Sequence, residues 1–111
     1  MEDKSYLEQM ASTLGKEAVL QTFAQSAQDL REALAAMKRA IADGALADAQ
    51  VHRHTIKGIA LNMGLAETAG IMASDHVDDD LADTRFGQRA AVLIEWEMAA
   101  VREKLEALEP R

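Results

Sequence analysis

Residues 16–42 read KEAVLQTFAQSAQDLREALAAMKRAIA. Within them Val19, Phe23, Ala27, Leu30, Leu34, Met37 and Ile41 recur at intervals of four, four, three, four, three and four. That spacing returns an apolar side chain to the same side of an α-helix on every turn, whereas a strand changes side at every residue. Asp43-Gly44 follows at once, and glycine takes the left-handed conformation that closes a helix at little steric cost. A helix this long with one apolar stripe gains its stability by packing that stripe against other helices.

The remaining chain supplies them. A short helix is expected over about residues 3–13, broken from the long one at Gly15. A third spans 46–63 and stops at Gly64. A fourth begins near Leu65 and is the weakest, because Asp75, Asp78, Asp79 and Asp80 dilute its apolar side. The last covers about 84–108, with Ile94, Met98, Val101, Leu105 and Leu108 at alternating intervals of four and three. The single proline is Pro110, and no alternating β-branched run marks a strand. Short connections between long amphipathic helices favour antiparallel neighbours. The expectation is an all-α fold: an antiparallel up-down-up-down four-helix bundle with a short extra N-terminal helix, residues 1–111 forming one domain.

Composition excludes several function classes. A net charge of −7 opposes nucleic-acid binding, which needs a basic footprint to displace counterions. The absence of cysteine removes disulfides, thiol nucleophiles and cysteine-ligated zinc. No apolar run approaches the ~18 residues of a membrane span, and no signal peptide opens the chain. A cytoplasmic, monomeric protein is the expectation.

The chemistry concentrates in residues 51–65, VHRHTIKGIALNMGL. At about 100° per residue, Gln50, Lys57, Gly58, Leu61 and Leu65 fall on the side of His54. Ala45, Ala49, His52, Ile56, Ile59 and Met63 fall opposite and form the core stripe. Periodicity alone therefore turns His54 to solvent and makes His52 a half-buried structural residue. An interior helical glycine costs roughly 0.8–1 kcal/mol relative to alanine, so Gly58 implies either a close helix contact or clearance for a partner. A neutral imidazole is a nucleophile, and a lysine one turn away offers a point charge to phosphoryl oxygens. No Gly-rich phosphate loop accompanies them, so the chain lacks the means to draw phosphate from a nucleotide.

His54-x-x-Lys57-Gly58, followed by Gly64, resembles the motif of histidine-containing phosphotransfer (HPt) domains. The segment from Thr13 to Phe23 is also similar to the start of their second helix. The resemblance covers nearly the whole chain and implies a phosphorelay carrier rather than an enzyme. His54 would be the phospho-accepting residue, Lys57 its electrostatic partner and Gly58 the clearance residue. Gly64 would form the turn, and Gln50, Leu61 and Leu65 would complete the docking face. The implied partners are a response-regulator receiver domain, which supplies Mg²⁺, and a sensor or hybrid histidine kinase. The chain itself would hold no cofactor. Members of the family often carry a glutamine twelve residues after the turn glycine, where this chain has His76. That histidine either bonds the phosphoryl group or is an ordinary surface residue. Two other readings stay open: a non-relaying adaptor or inhibitor of the same fold, and a phosphotransfer domain excised from a larger kinase.

Other features call for duller explanations. Asp78, Asp79, Asp80 and Asp83 lack calcium-ligand spacing and read as a solvated acidic turn. His52 and His54 diverge by about 200° on one helix, which rules out a shared metal. Trp96 lies off the main stripe of the last helix, near Val92. It either covers a second apolar seam, the reading preferred from the sequence, or marks a dimer contact.

Overall fold

A computed structural model describes residues 6–73 and 85–108, apart from the side chains of Tyr6 and Glu8. Among them are five helices and no strand: α1 (Tyr6–Leu14), α2 (Lys16–Ala42), α3 (Leu46–Met63), α4 (Ala66–Met72) and α5 (Phe86–Glu106). The bounds of α2 and α3 coincide with those the sequence predicts. The last helix is shorter than expected among the described residues, with Leu108 half-buried just past its end. His76 and the acidic residues Asp75, Asp78, Asp79, Asp80 and Asp83 lie outside the described residues.

Every member of the α2 stripe, from Val19 to Ile41, is buried. This helix is the spine of the fold and packs against α1, α3 and α5, while α4 packs against α3 and α5. Contacts between α2 and α5 pair their residues in opposite order. Lys16 Nζ donates to the Glu106 carbonyl, Arg31 pairs with Glu95, and Lys38 lies against Gly87. The two helices are therefore antiparallel. Ile94, Met98 and Leu105 of α5 are buried and Val101 is half-buried, as the spacing requires.

The corners after α2 and α3 are built alike. Gly44 has φ +72° and Gly64 φ +78°, a left-handed conformation that disfavours a side chain. After α2, Ala45 N–H donates to the Ala40 carbonyl at 2.8 Å and Gly44 N–H to Ile41 at 3.1 Å. After α3, Leu65 N–H donates to Ala60 at 2.8 Å and Gly64 N–H to Leu61 at 3.3 Å. These bonds satisfy helix-end carbonyls and draw the second residue of each corner back toward the helix it leaves.

One packing expectation fails. Trp96 covers no apolar seam: it is 64% exposed, and Val92, one turn earlier on α5, is 72% exposed. The cause lies in the direction of the helix. Trp96 points about 160° from Ile94 on the nearer side of the helix, and α2 and α4 pack on the side of Ile94.

Candidate functional site

The α3 sequence divides sharply into two sides. Ala49, Ile56, Ala60 and Met63 are buried, and His52, Ile59 and Ala45 are half-buried beside them. Gln50, His54, Gly58 and Leu61 are exposed, and Lys57 is half-buried at their edge. Neither His54 nor Lys57 makes a side-chain hydrogen bond or ion pair with any described residue. Among the described residues the site is thus an exposed imidazole with an ammonium group one turn away, neither held by a partner.

Gly58 lies in this face, and a Cβ built on it meets nothing within 4 Å. Its φ is not positive either. Among the described residues, neither packing nor backbone conformation requires glycine there, so no close helix contact accounts for it. Leu61 is 58% exposed, and Val51, one turn before His54, is 64% exposed. Val51 is a member of the face that the sequence reading missed. Its angle is about 60° from His54, the same as that of Lys57 on the other flank.

Leu65 requires a correction. It is fully buried, not part of a docking face. The projection that put it beside His54 assumes a helix continuing past Gly64, but the chain reverses there. The bond from Leu65 N–H to Ala60 fixes the backbone so that its side chain turns onto the core, the apolar contact such corners make.

Two side chains that hold α4 were invisible to periodicity. Arg53, half-buried on the flank of α3 toward α4, donates through Nη1 to the carbonyl of Met72, the last residue of α4. This bond and the tight corner at Gly64 fold α4 back along α3 and fasten its end beside the turn carrying His54. Glu97 of α5, only 9% exposed, acts on the other end of α4. Its Oε2 accepts from Glu67 N–H at 3.0 Å, and its Oε1 accepts from both Thr68 N–H and Thr68 Oγ1 at 2.6 Å. It thereby satisfies two of the amides that a helix start leaves without partners, the task an N-cap side chain performs elsewhere.

A groove of about 340 Å³ lies apart from His54, between α2 and α5, with Phe23, Ala27 and Met98 in its lining. Its arginines, Arg31 and Arg102, are paired with Glu95 and Glu106 respectively. Among the described residues no helix is long and apolar enough to cross a membrane. Compared with family models, curated proteins and solved structures, the chain gives no match.

Proposed function

We propose that this chain is a histidine phosphotransfer carrier in a two-component phosphorelay, with His54 as the residue that holds the phosphoryl group. The observation that carries the reading is Gly58. It lowers the helix propensity of α3, serves no contact or turn among the described residues, and opens space beside His54 and Lys57, neither of which is paired with a described residue. An incoming active site needs that space. The finer arrangement belongs to the same proposal: α2, α3, α4 and α5 form an up-down-up-down four-helix bundle, with α1 as the extra N-terminal helix.

In the proposed step a lone pair on the His54 imidazole attacks the phosphorus of an aspartyl phosphate in a receiver domain. The N–P bond forms as the bond from phosphorus to the carboxylate oxygen breaks, and the aspartate leaves as a carboxylate. No proton has to leave the ring. Lys57 offsets charge on the phosphoryl oxygens, while the receiver supplies Mg²⁺ and the remaining catalytic groups. Val51 and Leu61 provide the apolar part of the docking face around His54. The protein acts as a cytoplasmic monomer between a sensor or hybrid kinase and its receiver.

The test is direct. Incubation with a phosphorylated receiver should give an acid-labile, base-stable phosphate on this protein, and His54→Gln should abolish it. Because His54 is exposed and bonds no described residue, that variant should keep the helical circular dichroism of the parent. Labelling that persists in the variant would sink the assignment.

A further inference from the structure

With seven residues, α4 is too short to be stable as an isolated helix. No side chain caps its start from its own sequence, and its last turn holds no basic residue. Charged side chains of other helices close both ends: Glu97 of α5 at the start and Arg53 of α3 at the finish. The guanidinium suits its position, because terminal carbonyls lack helical donors and form the negative end of the helix dipole.

Arg53 is nonetheless incompletely satisfied there. A carbonyl takes one of the five guanidinium N–H groups, and Arg53 Nε is buried with no hydrogen-bond acceptor among the described residues. The residue immediately precedes His54 and stands one turn before Lys57, on the flank between the exposed face of α3 and α4.

Resting on the reading that His54 is phosphorylated, we propose that Arg53 is a second cationic ligand of the phosphoryl group, held in the resting protein by the Met72 carbonyl. A phosphoryl group offers three anionic oxygens and accepts a guanidinium through two parallel bonds, where the carbonyl offers one neutral acceptor. Successive residues of a helix diverge by about 100°, so Arg53 reaches that group only by swinging off α4. In moving there it releases the Met72 carbonyl. Phosphorylation therefore removes the cap from the last turn of α4, and a tightly held α4 opposes phosphorylation by the same coupling. The exchange makes and breaks hydrogen bonds only.

The experiment uses the full chain with His52→Gln and His76→Gln, leaving His54 as the sole histidine. Phosphoramidate, a chemical phosphoryl donor, replaces the kinase. Hydrogen–deuterium exchange of the α4 amides is read with Arg53, Arg53→Lys and Arg53→Met, before and after phosphorylation. The informative amide is Ala73, which donates to the Ala69 and Gly70 carbonyls. Before phosphorylation, Arg53→Met should speed exchange in α4 roughly fivefold, the effect of losing one cap, with α2 and α5 unchanged. Arg53→Lys should restore slow exchange, since lysine also caps terminal carbonyls. Phosphorylation should speed α4 exchange by a similar factor in the Arg53 chain, add nothing in Arg53→Met, and leave a shorter-lived phosphohistidine in that variant. Uptake of phosphate by His54 without any change in α4 exchange overturns this proposal and leaves the phosphotransfer reading intact. Failure of His54 to take up phosphate from phosphoramidate overturns both.

Discussion

The seam between α2 and α5 and the short helix α4 both use charged side chains, to opposite effect. Along the seam the charges sit outside a continuous apolar contact. Arg31 and Glu95 form a two-bond pair at 2.8 and 2.9 Å, yet their side chains are 51% and 55% exposed. Exposed pairs of this kind contribute roughly 0–1 kcal/mol, so burial of Phe23, Ala27, Ile94 and Met98 holds the seam. In α4 the ranking is reversed. The helix is too short to persist alone, and Glu97, itself buried, supplies the acceptors its first turn lacks. One carboxylate decorates a contact, and the other is a condition for a helix.

The largest effect should therefore come from Glu97. Replacement by Ala leaves two α4 amides and the Thr68 hydroxyl without an acceptor, and should cost on the order of 3 kcal/mol. The midpoint of urea unfolding measures the loss, and exchange should rise first in α4. A loss no greater than that of Glu95→Gln would erase the distinction between the two regions.

At Gly58 the effect on stability and the effect on function should have opposite signs. Gly58→Ala should raise stability by about 0.8–1 kcal/mol, since the added methyl meets no atom within 4 Å and alanine is the better helix former. Gly58→Leu should keep the helix and slow phosphoryl transfer from a receiver strongly. A variant that loses stability while its transfer rate per folded molecule stays unchanged would return Gly58 to a packing role.

The smallest effect belongs to the seam pair. The hydrogen bond from Arg31 holds the Glu95 carboxyl below its ordinary value of 4.5, and the attraction of the two charges acts in the same direction. A carboxylate lowered in the folded state contributes stability above its unfolded value and loses it as the pH falls through the folded one. Acidification from neutral pH to below the usual carboxylate range should thus remove at most about 1 kcal/mol through this pair. Glu95→Gln should flatten that part of the stability profile, and a difference well above this size would mean that the pair is shielded from solvent.

The same division explains what the sequence disclosed. The α2 stripe and the ends of α2 and α3 were legible because each depends on neighbours within one or two turns: a repeated apolar spacing, then a glycine. His54 and Gly58 were placed on an exposed face for the same reason. The roles of Glu97 and Arg53 were not legible, since they act on backbone groups 29 and 19 residues away, and no local spacing encodes that. Leu65 was misplaced because a helical projection was carried across the reversal at Gly64. Trp96 was misread because large aromatic residues are usually covered, and periodicity fixes a direction without saying what lies there.

That exposed Trp96 has a spectroscopic consequence. It is the only tryptophan of the chain and stands in solvent on the outer side of α5. Its emission will change little between the native and denatured protein, so unfolding is better followed by far-ultraviolet circular dichroism. A blue shift on mixing with another protein will instead report contact on α5, separate from events on the His54 face of α3.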